Sequence, residues 1–227
     1  MRACVLLSGQ IRNNKDVYMS IKKNLIDVYN ADVFISTWNP TSGDDSTINE
    51  LVSNYNPVSL EVESYDLDFS KTFKRMVSPH EWKSPGSETN PVSVFSMYYK
   101  IMRANRLKEA YERFNGFTYD IVIRTRFDLS IDSPLNYITP NENHLYIPKG
   151  WDWRSGYNDL FAIGDSKSMN YYSNTFNNLI PILDSGHMLH PEYLLKVYLD
   201  MSGMQIVRPL MNLSFRGIKV FEKEAIY

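Results

Sequence analysis

The sequence has little of what would tie it to disulfides, nucleic acid or a membrane. Its 227 residues include one cysteine, so the chain cannot form an internal disulfide, and a reducing compartment is favoured. The formal net charge of -2 does not predict binding to a nucleic-acid backbone. The first apolar run is too short for a signal peptide or a membrane span. We therefore expect a cytoplasmic protein with no integral membrane segment and no nucleic-acid partner.

Motifs of several common enzyme classes are also missing. The sequence contains no P-loop, GxSxG, HExxH or CxxC motif, and the lack of GxGxxG argues against a classical dinucleotide fold. His80, His144 and His187 show no metal-ligand spacing with one another or with Cys4. A structural zinc site is therefore not expected.

Apolar runs alternate with helical periodicity in the first part of the chain. The patterns predict strands at residues 3–7, 31–36 and 58–62, with helices over 16–29 and 48–55 between them. This order is typical of a parallel sheet with crossover helices. We expect one α/β domain over residues 1–227, Rossmann-like, with a central and mostly parallel sheet flanked by helices.

The rest of the chain continues this pattern after one interruption. Residues 66–91 contain three proline turns and no sustained period, which predicts a mobile loop. Further strands are expected at residues 119–125, 144–147, 160–163, 205–208 and 217–221. Helices are expected over residues 92–115, 166–178 and 191–201.

The most informative stretch is the charged end of the strand at residues 119–125. Arg124, Arg126 and Asp128 follow three β-branched residues. Ligands of open parallel sheets bind at the carboxyl ends of the strands, where arginines can hold a diphosphate. A carboxylate there can bind a divalent cation that bridges the phosphates. The alternative is that these are ordinary strand-end and turn residues.

Three further groups are candidates for binding phosphate or metal. Ser8, Gly9, Gln10 and Arg12 follow the first strand, where glycine allows a ligand to approach the backbone closely. Lys100, on the helix over residues 92–115, can point at a phosphate or simply face solvent. His190 begins a helix and is a candidate ligand for a metal or phosphate, or only a helix-start residue.

The segment before Leu160 has the composition of a sugar-binding site. Trp151 and Trp153 can stack on the apolar faces of sugar rings, and nearby carboxylates can accept hydrogen bonds from hydroxyl groups. If the reaction inverts the anomeric centre, a carboxylate must take the proton of the acceptor. Asp159 is the first candidate for this catalytic role and Asp152 the second. The alternative is that Asp159 only caps a turn.

Taken together, these stretches resemble small GT-A-like glycosyltransferases among uncharacterised bacterial, phage and chlorovirus-type proteins. The resemblance is carried by the following stretches: VLLSGQIRN, ADVFISTWN, SMYYKIMRANRLKEAYE, YDIVIRTRFDL and NDLFAIGDSKSM. It implies a nucleotide-binding half at residues 1–128 and a sugar- and acceptor-binding half at 129–227. It also implies transfer of a sugar from a nucleotide-diphosphate sugar, with a UDP-sugar favoured, to a glycan or other hydroxyl acceptor.

The resemblance further places Asp128 at the metal-binding acidic motif of the family, with Mn²⁺ or Mg²⁺ as cofactor. Here Arg126 stands where the usual Asp-x-Asp motif has its first acid, so the arginine can replace part of the cation's role. Two other functions stay open. One is a sugar nucleotidyltransferase, and the other is a non-catalytic carbohydrate-binding protein that kept the fold.

Overall fold

The apolar runs form strands, and the periodic segments between them form helices. The computed structural model describes residues 1–11, 14–39, 46–65, 67–77, 89–135, 138–215 and 218–220. The strands are β1 (Ala3–Gly9), β2 (Asp32–Trp38), β3 (Ser59–Glu63), β4 (Ile121–Thr125), β5 (Leu129–Ile131), β6 (His144–Tyr146), β7 (Ala162–Gly164), β8 (Gln205–Val207), β9 (Leu213–Phe215) and β10 (Ile218–Lys219). The helices are α1 (Asn14–Ile21), α2 (Asp27–Tyr29), α3 (Ser46–Tyr55), α4 (Leu67–Val77), α5 (Pro91–Asn115), α6 (Ser166–Ser173), α7 (Thr175–Asp184) and α8 (Pro191–Asp200).

A seven-stranded sheet with the order β3-β2-β1-β4-β7-β6-β8 forms the centre of the molecule. β3, β2, β1 and β4 are parallel to one another, and β8 is parallel to β6. β7 alone runs antiparallel to both of its neighbours. The predicted α/β class, with a mostly parallel sheet flanked by helices, is confirmed.

Each face of the sheet has its own hydrophobic core, which explains why its central strands contain continuous apolar runs. On β1, Cys4 and Leu6 pack with residues of α5 to α8, whereas Val5 and Leu7 pack towards α1 and α3. A small antiparallel sheet with the order β10-β9-β5 completes the second core. β5 and β9 were not predicted, because each is a short segment with a central serine that gives neither a continuous apolar run nor a full period.

The segment predicted as a loop over residues 66–91 contains helix α4, so this prediction was wrong for its first half. Phe69, Phe73 and Met76 recur at helical spacing and pack on the core that contains α5. Phe73 is buried and meets the ring of Trp38 edge-on. Residues 78–88 lie outside the described part of the chain.

The helix predicted over residues 166–178 is in fact two helices. The backbone leaves helical geometry at Asn174, where φ is -79° and ψ is 4°, so α6 ends there and α7 begins. Within the described ranges, no helix is long and apolar enough to cross a membrane.

Candidate functional site

A cleft of about 380 Å³ lies at the carboxyl ends of β1 and β4. Six of the predicted binding residues line it: Ser8, Gly9, Gln10, Arg124, Arg126 and Asp128. They are neighbours because β1 and β4 are adjacent parallel strands whose ends meet at one edge of the sheet. Arg12, predicted to act with them, lies outside the described residues.

The turn at the end of β1 leaves space for a ligand next to its backbone. Gly9 has φ of 110°, a conformation that side-chain-bearing residues rarely adopt, and its carbonyl accepts a hydrogen bond from Thr37 Oγ1 at 2.8 Å. Apart from its chain neighbours, no residue that the structure describes has an atom within 4 Å of where a Cβ of residue 9 would be, so a ligand can approach this backbone.

The opposite wall contains the first turns of α5, which the sequence reasoning missed. Asn90 caps this 25-residue helix by accepting a hydrogen bond from Val92 N at 3.0 Å, and Pro91 occupies its first turn. Asn90, Val92, Ser93, Ser96 and Met97 line the cleft. The amino end of a helix carries partial positive charge and favours anions. The Asn-Pro pair at a helix start was the available signal.

Two arginines bring positive charge to the cleft, but they are held differently. Arg124 is buried, 1% exposed, and donates a hydrogen bond from Nη1 to the backbone carbonyl of Asp159. Arg126 forms a two-point ion pair with Asp128, with Nε–Oδ1 and Nη2–Oδ2 distances of 2.5 and 3.0 Å. The guanidinium of Arg126 also packs over the ring of Phe215, at 4.8 Å from its centroid.

The predicted metal ligands do not come together as a metal site. Both oxygens of Asp128 are engaged by Arg126, so a cation would have to compete with the guanidinium. The other predicted ligand, His190, contacts Glu192 and Trp153 instead. Among the described residues, no three His, Cys, Asp or Glu side chains are grouped so as to hold a metal ion. The residues present therefore do not fit a metal held by Asp128 and His190.

Lys100 belongs to a buried ion-pair network rather than to the cleft lining, which corrects its predicted phosphate contact. Its ammonium lies 2.6 Å from Glu63 Oε2 and 4.1 Å from the ring centroid of Trp38. Burial lowers the pKa of Lys100, while the hydrogen bond with Glu63 raises it. Trp38 and Tyr65, which line the cleft, were not predicted as site residues.

In the segment before Leu160, Asp152 shapes a loop instead of facing a ligand. Its carboxylate accepts hydrogen bonds from Arg208 Nη2 at 2.6 Å and from the backbone N–H groups of Asn158 and Gly150 at 3.0 and 3.1 Å. These three donors hold the carboxylate against its own loop. This geometry does not support its predicted catalytic role.

The two predicted stacking residues of this loop contact other rings of the protein. Trp151 meets Phe215 edge-on at 5.0 Å, and Trp153 stacks on His190 at 3.8 Å with an interplanar angle of 10°. Neither tryptophan lines the cleft. The loop nevertheless adjoins the end of β4, because Phe215 contacts both Trp151 and Arg126.

Asp159 lies behind Arg124 in a group of buried polar side chains. It is 5% exposed, and its charge contributes to raising the pKa of Glu192, although burial is the larger cause. Tyr98, also buried here, donates a hydrogen bond to the carbonyl of Pro191 at 2.8 Å. Asp159, Glu192 and Arg124 therefore lie next to the cleft, on its inner side.

A second cavity, of about 430 Å³, lies between α5 and α6. Its walls include Asn105, Asn143, Asn170 and Lys167, and Asn143 precedes β6, so this cavity is at the opposite edge of the sheet. It is slightly larger than the strand-end cleft and includes residues of the first turn of α6, but within the described part of the chain none of the predicted binding residues lines it. We therefore take the strand-end cleft as the candidate site.

Fold and site together define a Rossmann-like α/β protein with an arginine-lined cleft at the ends of its parallel strands. Residues 1–215 match the family described as a domain of unknown function, DUF7796, and the chain belongs to that family. A comparison with curated proteins found no match.

Proposed function

We propose that the protein is a glycosyltransferase that binds a nucleotide-diphosphate sugar in the strand-end cleft and transfers the sugar to a glycan or other hydroxyl acceptor. One observation carries the proposal: the cleft combines an open glycine turn, a helix amino end and two arginines. Backbone N–H groups at a turn and at a helix amino end, together with arginine side chains, commonly bind phosphate groups.

The same groups suit the chemistry of sugar transfer. When the bond between sugar and phosphate breaks, negative charge develops on the departing nucleoside diphosphate. Donors already aimed at that charge lower the barrier. Arg126, 20% exposed and paired with Asp128, is the more accessible of the two arginines, whereas the buried Arg124 is held by the carbonyl of Asp159. Trp38 and Tyr65 offer aromatic surface for a base at the same cleft.

The binding test is a thermal-shift panel of UDP-, GDP-, dTDP- and CMP-sugars, each with manganese or with a chelator. Selective stabilisation by one donor, with a UDP-sugar favoured, is expected, on the order of 2.7 kcal/mol at a hundredfold excess over Kd. Arg126→Ala should weaken that donor by about tenfold to a hundredfold. The matched control is Arg106→Ala, an exposed arginine outside the cleft. If no donor stabilises the wild type, the proposal is wrong.

Asp128→Asn separates the two ways of neutralising the diphosphate. If Asp128 holds a metal, the variant loses manganese-dependent donor binding. If Arg126 acts alone, releasing it from Asp128 leaves donor binding unchanged or tighter, in manganese and in chelator alike.

A second candidate function is a non-catalytic binder of nucleotide sugars or carbohydrates. It is favoured by the Arg126–Asp128 ion pair, which occupies the carboxylate that the resemblance assigns to the metal. Release of nucleoside diphosphate from any donor in the panel excludes this alternative.

A further inference from the structure

The loop before Leu160 and the start of α8 enclose a paired histidine and carboxylate. His190 Nδ1 lies 2.5 Å from Glu192 Oε2, and the two side chains are 11% and 12% exposed. The imidazole is held flat against the indole of Trp153. Gly156 packs so closely on Glu192 that a Cβ at residue 156 would lie 2.5 Å from the Glu192 backbone carbon. The pair is therefore mostly buried and rigidly placed.

Further buried polar groups lie beside this pair. Arg124 and the hydroxyl of Tyr172 interact with each other, and the charge of Asp159 acts on Glu192. Ionisable side chains are seldom fully buried unless they are paired. Several of them side by side, behind an arginine that lines the cleft, indicate a site built for chemistry rather than for stability.

Resting on the proposed function, we propose that His190, oriented by Glu192, accepts the proton of the acceptor hydroxyl. A carboxylate beside Nδ1 favours the tautomer with the proton on that atom, which leaves Nε2 as the basic nitrogen. The imidazolium formed on proton transfer contacts Glu192, and Asp159 in turn lies close to Glu192. The carboxylate in contact stabilises that positive charge. Asp159 then acts through its charge, and not as the base itself.

The step balances as a single displacement. The acceptor O–H bond breaks and its proton goes to His190 Nε2, while the acceptor oxygen forms a bond to the anomeric carbon. The bond from that carbon to the diphosphate oxygen breaks, and its electron pair leaves with the nucleoside diphosphate. Because attack and departure are on opposite faces, the product has the inverted anomeric configuration.

The test uses the full chain and the donor selected by the thermal-shift panel, with water as the acceptor. His190→Gln should lower the turnover for nucleoside diphosphate release about a hundredfold, with donor Kd changed less than threefold. Glu192→Gln should lower turnover about tenfold, because it orients the base but does not accept the proton. His187→Gln is the matched control, since His187 contacts Tyr193 and takes no part in the pair.

A rescue experiment keeps the inference testable where a variant loses structure. His190→Gly, shown by circular dichroism to be folded, should regain at least about tenfold in turnover when imidazole is added. Near-normal turnover of His190→Gln, or no gain from imidazole in folded His190→Gly, overturns the inference alone. So does a wild type that binds a donor but neither hydrolyses nor transfers it. If no donor binds, the proposed function fails and this inference fails with it.

Discussion

Gly156→Ala is the sharpest test of how the loop before Leu160 meets α8. The added Cβ would lie 2.5 Å from the Glu192 carbonyl carbon, 2.6 Å from its oxygen and 2.8 Å from Tyr193 N. Favourable carbon contacts begin near about 3.5 Å, so loop and helix must separate by about 1 Å. Because all three atoms belong to the backbone, no side chain can rotate to make room.

The expected cost follows from this clash alone. Residue 156 has φ of -66°, which alanine adopts without strain. Without the clash, glycine to alanine would stabilise the protein by about 0.4–1 kcal/mol. With it, we expect a loss of about 1–3 kcal/mol, as for other overpacked sites. In a chain of this length, the midpoint of thermal unfolding should fall by roughly 2–4 °C for each kcal/mol.

Urea and thermal unfolding followed by circular dichroism measure this loss, and donor hydrolysis by the same variant should fall with it because Glu192 is displaced. The control is Gly116→Ala, where φ is 68° and no atom of the described residues beyond the chain neighbours lies within 4 Å of the new Cβ. That variant should lose only the cost of left-handed backbone strain, about 1–2 kcal/mol, and keep its activity. A Gly156→Ala protein as stable as the wild type, or more stable, would refute the described contact.

Three further predictions concern buried ionisable groups. Lys100→Met should lower the free energy of unfolding by about 3–5 kcal/mol, measured in urea, yet leave donor Kd within about threefold, because Lys100 pairs with Glu63 instead of a phosphate. A hundredfold loss of donor affinity in this variant would indicate instead that Lys100 contacts a phosphate. Burial raises the pKa of Cys4, so this one thiol should react with a thiol reagent only on unfolding; rapid labelling of the native protein would contradict that. Burial also raises the pKa of Glu192, so wild-type stability from this group is present below the carboxyl's unfolded pKa and is lost as pH rises through the folded value. Glu192→Gln should therefore gain stability relative to wild type in urea melts as pH rises above about 4.5, and an equal difference at every pH would contradict it.

The central sheet and one side of the cleft could be predicted from the sequence. Continuous apolar runs identify strands buried on both faces, and polar residues that follow β1 and β4 must meet because the strands are parallel and adjacent. Ser8, Gly9, Arg124 and Arg126 were found in this way. The wall formed by α5 is less visible, since its glycine-free, uncharged first turn acts through backbone N–H groups that no side-chain motif encodes.

Partnerships between distant segments could not be predicted from the sequence. The ion pair of Lys100 with Glu63 depends on how α5 packs on β3, and the contact of Arg208 with Asp152 depends on a loop fold. In each case the residue type fitted a ligand-binding role, but an internal partner of opposite charge was available once the chain had folded. Spacing along the chain carries no information on such competition.

The central strand has a consequence for how the chain can be divided. Successive residues of β1 belong to different cores, and the strands that extend the sheet beyond β4 all come after residue 128. In a fragment ending at residue 128, β4 would therefore be an unpaired edge strand. The core that contains α5 would lack α6, α7 and α8. The parts of the chain before and after residue 128 therefore share one folding unit, so melting should unfold both in a single cooperative transition.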